Sequence, residues 1–214
     1  MNKKEKVKAI YEILDKEYKD AKCTLNYSSP FELVVAVMLS AQCTDERVNI
    51  VTKDLFKKYK SVYEFKRAKI EELTQIIRPC GFYKTKGENI IKTAKKVCDN
   101  FNGEVPDNID DLLTLDGIGR KSANLILGEI YAKEAYVVDT HAIRLTNRFG
   151  LVNTKDPQKI EMLLRKIVEP KISLKFCHFM VSHGRAVCKA RGAMCENCVV
   201  SDLCSKKNLK KVKK

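Results

Sequence analysis

Residues 115–123 read Leu-Asp-Gly-Ile-Gly-Arg-Lys-Ser-Ala and predict a tight turn between two helices. Glycine reaches positive φ values at little energetic cost, so Gly117 and Gly119 suit such a hairpin. A helical pattern begins at Arg120, and the unpaired N–H groups and positive dipole of a helix start attract anions. The stretch is therefore interpreted as a phosphate-binding turn, although many turns of this kind only connect two helices.

The charge of the chain favours a polyanionic partner. Among 214 residues, 41 are lysine or arginine and 27 are aspartate or glutamate, which gives a formal net charge of +14. An excess of this size suits nucleic acid, with a solvated basic surface as the alternative. The basic tail, residues 206–214, is expected to be unfolded and either to add nonspecific affinity for phosphates or simply to be solvated. The length allows one large domain or two smaller ones.

The chain is expected to be cytoplasmic and to have no membrane partner. No stretch approaches the roughly 20 apolar residues of a membrane span, and the lysine-rich start continues into an amphipathic helical pattern rather than an apolar signal region. In a reducing compartment, the nine cysteines favour metal ligation or single thiols over disulfide bonds.

Hydrophobic periodicity predicts an all-α protein. The segment Ser29-Pro-Phe-Glu32 has the form of a capping box with proline at the first helical position, and the dense apolar run to Leu39 indicates a central core helix. Asp139 is expected to cap a later helix that ends at Gly150. The first helix is predicted from apolar residues at helical spacing: Val7, Ile10, Tyr11, Leu14 and Tyr18.

Four cysteines near the end of the sequence predict a metal centre. Thiolate ligands select zinc or an iron–sulfur cluster, and the residues alone leave both open, although the spacing differs from the paired C-x2-C of a zinc ribbon. The other five cysteines are interpreted as buried thiols with no assigned function. The pattern C-x6-C-x2-C-x5-C is formed by Cys188, Cys195, Cys198 and Cys204.

The order of four motifs resembles that of the endonuclease III family. Leu-Ser-Ala-Gln-x-Thr-Asp at residues 39–45 comes first, followed by the hairpin, by Val-Val-Asp-Thr-His at residues 137–141, and by the cysteine pattern. The family consists of helix-hairpin-helix DNA glycosylases with a conjoined abasic-site lyase activity. The resemblance implies a [4Fe-4S] cluster on the four cysteines. It also implies two helical domains with the active-site cleft between them, a six-helix domain at residues 22–134 and a cluster domain at residues 1–21 plus 135–214.

The resemblance further implies a catalytic pair, Lys121 and Asp139. The damaged nucleotide must turn out of the duplex, because its glycosidic carbon is otherwise shielded. The amine of Lys121 would then attack C1′ of the sugar, and the resulting Schiff base permits β-elimination. Arg120, the helix dipole and partial burial are expected to favour the neutral amine. Asp139 would stabilise the developing positive charge or accept the lysine proton. Taken singly, Lys121 suits a phosphate contact and Asp139 a helix cap.

Further residues are expected to contact DNA. The resemblance implies that Gln42 fills the gap left by the flipped nucleotide and that Phe82 inserts as a wedge into the opposite strand. The alternative for Phe82 is packing in the core. Lys189 and Arg191, in the loop between the first two cluster cysteines, would contact phosphates or be solvated. The phosphate site of the hairpin is assigned to Gly117, Ile118, Gly119 and Arg120. The three histidines, His141, His178 and His183, are interpreted as structural.

The sequence therefore predicts a base excision repair enzyme. We expect a bifunctional glycosylase and lyase that works as a monomer on oxidised pyrimidines and abasic sites in double-stranded DNA. One alternative is a monofunctional mismatch glycosylase, which would use activated water, but such relatives lack lysine at the position of Lys121. The other alternative is a noncatalytic DNA-binding or redox-sensing iron–sulfur protein.

Overall fold

The computed structural model describes residues 1–207 and 209, and this part of the chain is helical and contains no β-strand. The all-α prediction is therefore confirmed. The tail prediction falls largely outside the described residues, which do not include 208 and 210–214. The described helices are α1 (Lys3–Glu17), α2 (Pro30–Ser40), α3 (Asp45–Lys58), α4 (Val62–Lys66), α5 (Ile70–Ile77), α6 (Tyr83–Asn100), α7 (Ile109–Thr114), α8 (Arg120–Tyr131), α9 (Thr140–Arg148), α10 (Pro157–Ile167) and α11 (Ser173–Ala186).

The chain divides into two compact units. One, here called the central unit, is Thr24–Ala132 and contains the short helix α4 and six longer helices, α2, α3 and α5 to α8. The other, the terminal unit, combines Met1–Cys23 with Lys133–Lys214 and contains α1, α9, α10 and α11. The assignment of residues 22–134 to a six-helix domain and of residues 1–21 plus 135–214 to a cluster domain stays a prediction.

Helix α2 forms the core of the central unit, as the sequence predicts. Pro30 occupies the first turn, Ser29 Oγ accepts the backbone N–H of Glu32 at 3.3 Å, and α3, α6 and α8 pack around the helix. The reciprocal half of the expected capping box is displaced, because the carboxylate of Glu32 accepts from Ser28 rather than from Ser29. Each buried aliphatic side chain of such a helix stabilises the fold by about 1.5–3 kcal/mol. The buried side chains are Phe31, Leu33, Val34, Val35, Ala36, Val37, Met38 and Leu39.

The core of the terminal unit joins its four helices to the cysteine segment. The apolar face of α1 packs with apolar residues of α9, α10 and α11, and Cys188 belongs to the same buried cluster. The predicted first helix is thus confirmed, with a capping box between Asn2 and Glu5 at its start. None of the described helices is long and apolar enough to cross a membrane. The α1 residues in the core are Val7, Ile10 and Leu14.

Candidate functional site

The hairpin between α7 and α8 requires glycine at Gly117. Its φ of 78° lies in the left-handed region, and a Cβ atom there would stand 3.0 Å from Asn89 Nδ2 and 3.2 Å from Met38 Cε. Both the backbone conformation and the space therefore exclude a larger residue without local strain. The prediction of a glycine-dependent turn is correct at this position.

Gly119 has a different role from the one predicted. It is the N-cap residue of α8 with an extended φ of −95°, so the expected positive φ is wrong. A Cβ atom at this position would meet no described atom within 4 Å. Packing therefore does not demand glycine at Gly119, but the absence of a side chain leaves the start of α8 open to the close approach of another backbone. Among the described residues, no side chain caps this helix start, a situation that suits an anion.

The other hairpin residues differ in how far they are buried. Ile118 is buried, so only its backbone can contribute to a phosphate site. Arg120 is half-buried at the first position of α8. Lys121 is exposed in the first turn of α8.

Helix α6 holds the hairpin through two side chains that sequence analysis missed. Buried Thr93 donates its hydroxyl to the carbonyl of Asp116 at 2.9 Å. Lys96 donates to the carbonyl of Thr114 at 2.5 Å and pairs with the carboxylate of Asp116 at 3.2 Å. These three contacts fix both the end of α7 and the first residue of the turn.

Gln42 and Phe82 are held in backbone conformations that non-glycine residues seldom adopt. Their φ values are 54° and 48°, and left-handed conformations of this kind cost about 1–3 kcal/mol each unless the surroundings enforce them. Phe82 is also 66% exposed, so the alternative of core packing is wrong. Neither burial nor the backbone preference of phenylalanine explains this conformation.

Lys86 is a third side chain of α6 that sequence analysis missed. The side chain is only 7% exposed. Its ammonium group donates to the carbonyls of Leu39 at 2.9 Å, Ala41 at 2.8 Å and Cys80 at 2.9 Å. Burial lowers the pKa of Lys86. The sequence contained a signal for this burial, because Lys86 lies four positions before Ile90, on the apolar face of α6.

The single cysteines are less buried than expected. Cys80 and Cys177 are buried, whereas Cys23, Cys43 and Cys98 are half-buried, so the prediction is wrong for these three. Burial, together with the neighbouring Cys43 thiol, raises the pKa of Cys80 to about 11.

Asp139 is the N-cap of α9, as predicted. Its Oδ1 atom accepts the backbone N–H of Ala142 at 2.8 Å, and the residue is half-buried. The helix ends before Gly150, whose φ of 76° also agrees with the prediction. The cap fixes the direction of the carboxylate.

The four predicted metal ligands line one cavity of the terminal unit. This cavity is lined by Cys188, Cys195, Cys198 and Cys204 together with residues that include Arg148 and Phe149. Within residues 1–207 and 209, no three Cys, His, Asp or Glu side chains form a group that could hold a single metal ion. The cysteines are all free thiols.

Nitrogen atoms lie 3.2–3.4 Å from three of the four sulfurs of this cavity. Arg148 Nη1 donates to Cys188 Sγ at 3.2 Å, and the backbone N–H of Lys206 donates to Cys204 Sγ at 3.4 Å. His183, which was interpreted as structural, has Nε2 at 3.3 Å from Cys198 Sγ. N–H groups directed at sulfur stabilise thiolates, so the donor set suits a thiolate-bound centre.

The imidazole of His183 is held in place by a tyrosine. Its Nδ1 atom lies 3.0 Å from the hydroxyl of Tyr18. Burial lowers the pKa of His183 to about 4 and raises the pKa of Tyr18 to about 12, so both groups are neutral at pH 7. A neutral imidazole that accepts from Tyr18 donates from Nε2 to the sulfur of Cys198.

Lys189 and Arg191 are exposed on the loop that follows Cys188. The loop is anchored by Arg148, which is only 5% exposed and donates to the carbonyls of Lys189 at 2.7 Å and Ala190 at 3.2 Å. Sequence analysis missed Arg148, because a buried arginine and a solvated arginine look alike in a helical pattern. The two basic side chains are thus displayed on a fixed backbone.

Comparison with known proteins identifies the chain. The family model of HhH-GPD superfamily base excision DNA repair proteins matches residues 35–170. The fold and the hairpin thus define a helix-hairpin-helix base excision repair protein. Endonuclease III of Synechocystis sp. is 41% identical over 204 residues, which cover 95% of this chain and 93% of the relative. The chain belongs to the endonuclease III family, as its motifs predict.

Solved structures agree with this assignment. A structure of a non-covalent endonuclease III–DNA complex has a TM-score of 0.89 and 39% identity, and the match covers 96% of this chain and 97% of that one. A structure of a trapped endonuclease III–DNA covalent intermediate gives the same TM-score, identity and coverage.

Proposed function

We propose that this protein is a bifunctional DNA glycosylase and abasic-site lyase of base excision repair, and that it removes oxidised pyrimidines from double-stranded DNA. The observation that carries the proposal is the similarity to an endonuclease III that was trapped covalently on DNA. A protein that becomes covalently attached to DNA needs a nucleophile. In this chain, the exposed amine of Lys121 can act as this nucleophile. Lys121 lies in the first turn of α8, directly after the hairpin.

The reaction assigned to Lys121 begins with a neutral amine. Its nitrogen attacks C1′ of the flipped sugar, the glycosidic bond breaks, and the base leaves with the bonding electrons. The attacking nitrogen then loses a proton to a base, and the sugar ring opens as the C1′–O4′ bond breaks and O4′ takes up a proton, which leaves a Schiff base at C1′. In the β-elimination a proton leaves C2′, a C2′–C3′ double bond forms, and the C3′–O bond breaks so that the 3′ phosphate leaves with the bonding electrons.

Asp139 is assigned to the same reaction. Positive charge develops on the sugar as the base leaves, and a carboxylate directed at it lowers the barrier. The hydrogen bond from Ala142 holds Oδ1, and we assign Oδ2 to the sugar or to the proton of Lys121. The cap thus orients a charge that then has a chemical role.

Several parts of the chain are proposed to bind DNA. The backbone N–H groups from Gly117 to Arg120 bind a phosphate, which positions the strand without reading its sequence. Gln42 occupies the gap left by the flipped nucleotide, and Phe82 enters the base stack. Lys189 and Arg191 contact phosphates. A single copy of the chain carries every assigned residue, so we expect a monomer to be active.

The four cysteines of the cavity are proposed to hold a [4Fe-4S] cluster. The thiol set and the surrounding N–H donors fit such a group. When bound, the cluster would tie the loop with Lys189 and Arg191 to the core and supply a centre capable of one-electron exchange. The catalytic steps assigned to Lys121 and Asp139 do not pass through it.

The proposed function is tested by reductive trapping. Borohydride reduces a Schiff base to a stable amine, so the native protein is expected to form a covalent adduct with duplexes that contain an oxidised pyrimidine or an abasic site. An undamaged duplex of the same sequence is the control. Release of a base without an adduct would indicate a monofunctional glycosylase, and binding without either product would indicate a noncatalytic protein.

The metal centre is tested by elemental analysis. Protein purified without oxygen is expected to contain about four iron and four acid-labile sulfide atoms per chain, and Cys198→Ser is expected to lower both. Stoichiometric zinc without sulfide would contradict the cluster assignment.

A further inference from the structure

Helix α6 carries three polar side chains that contact the segments around the assigned DNA-binding residues. Lys86, Thr93 and Lys96 lie at i, i+7 and i+10, within about one face of a helix. Thr93 and Lys96 hold the hairpin. Lys86 instead holds carbonyl groups at the end of α2 and in the turn before α6.

We propose that Lys86 is a positioning residue that sets the spacing between Gln42 and Phe82. The inference rests on the proposed function, because it assumes that these two side chains enter the base stack. Ala41, whose carbonyl accepts from Lys86, directly precedes Gln42. Cys80, whose carbonyl also accepts from Lys86, lies two residues before Phe82. One ammonium group therefore bridges the two segments that present the assigned gap-filling and wedging residues.

The contacts suit control of position better than simple stability. A buried lysine is rare unless its charge is satisfied, and an apolar side chain would fill the same space without burying a charge. Here all three ammonium hydrogens have a backbone acceptor. Gln42 and Phe82 have strained backbones, which persist only where neighbouring structure enforces them. Lys86 supplies that constraint to both segments at once.

Lys86 is expected to matter for the reaction with duplex DNA only. Filling the gap and wedging the partner strand are needed when a nucleotide is turned out of a base-paired stack. An abasic sugar in single-stranded DNA is already accessible to Lys121. Loss of Lys86 should therefore slow reaction with duplex substrates and spare reaction with single-stranded abasic DNA.

The test compares Lys86→Met with Lys95→Met. Lys95 is exposed on α6, half a turn away from Lys86 around the helix, so its substitution removes the same charge without touching the two segments. Borohydride-trapping rates are measured on a duplex with an oxidised pyrimidine and on a single strand with an abasic site. Lys86→Met is expected to lower the duplex rate at least about tenfold and to change the single-strand rate less than about twofold. Lys95→Met is expected to change both rates by the same small factor.

The outcomes separate the two proposals. If the native protein forms no adduct on either substrate, the proposed function fails. If it forms adducts and Lys86→Met lowers both rates equally, Lys86 has only a structural role and the inference is overturned. Lys86→Arg is measured alongside, because it keeps the buried charge should Lys86→Met fail to fold. Its planar donors cannot reproduce three separate contacts, so the same selective loss on duplex DNA is expected.

A measurement that needs no catalysis completes the test. 2-Aminopurine placed opposite a tetrahydrofuran abasic site becomes brighter when it is unstacked. Saturating native protein and Lys95→Met are expected to raise this fluorescence, and Lys86→Met is expected to leave it near the value of free DNA while still binding. An equal rise with Lys86→Met would overturn the inference.

Discussion

Replacement of Lys121 by alanine or by arginine is expected to lower the lyase rate at least about a thousandfold, because neither side chain can form the Schiff base. Lys121→Arg keeps the positive charge in the first turn of α8, so it isolates the nucleophile from a phosphate contact. We expect Lys121→Arg to bind an abasic duplex nearly as well as the native protein and to give no borohydride-trapped adduct. Gel analysis of the trapped complex and fluorescence anisotropy of binding measure the two effects.

Two results would contradict this assignment. Full lyase activity in Lys121→Ala would show that another group attacks the sugar. If Lys121→Arg kept the lyase activity while Lys121→Ala lost it together with DNA binding, the lysine would be a phosphate contact. Lys95→Met, which removes a positive charge from an exposed position of α6, controls for the general loss of charge.

Asp139→Asn is expected to lower turnover by about 10²–10³-fold and to leave the melting temperature nearly unchanged. Asparagine caps a helix as well as aspartate does, so the contact with Ala142 survives while the negative charge is lost. Asp139→Ala removes both the charge and the cap, and it should also destabilise the fold by about 1 kcal/mol. Single-turnover base release and thermal unfolding are the two measurements.

The comparison of these two variants separates catalysis from capping. If Asp139→Asn retained native turnover while Asp139→Ala lost activity in proportion to its stability, the carboxylate would serve only as a cap. Binding to an abasic duplex is the internal control, because neither variant should lose the phosphate contacts of the hairpin.

Most of the fold could be predicted from local patterns. The amphipathic helices α1 and α3 and the nearly wholly buried α2 follow from spacing and capping residues close together in sequence. Gly117 could be predicted for the same reason, since positive φ is a preference of the residue itself. Gly119 could not, because its role depends on the open space around the start of α8.

The site was predicted less completely than the fold. Phe82 was identified, but its exposure and left-handed backbone were not, because an aromatic residue between two helices suits a core or a surface equally well. Lys86 and Arg148 were missed as supporting residues, and His183 was interpreted as structural without its partners. The partners of Lys86 lie 6 to 47 positions away in the sequence, and those of Arg148 lie 40 to 42 positions away. The partners of His183 lie 15 and 165 positions away. A local sequence pattern does not predict such contacts.

The sequence by itself determined the helical class, the hairpin, the cysteine pattern and the membership of the endonuclease III family. Each of these depends on residues that lie close together along the chain. The tertiary structure alone decided that Phe82 is displayed rather than buried, that Lys121 is exposed, and that Lys86 joins two segments that no sequence motif connects. The physical reason is that burial and hydrogen-bond partners of polar side chains are set by which distant backbone groups the packed helices bring within reach.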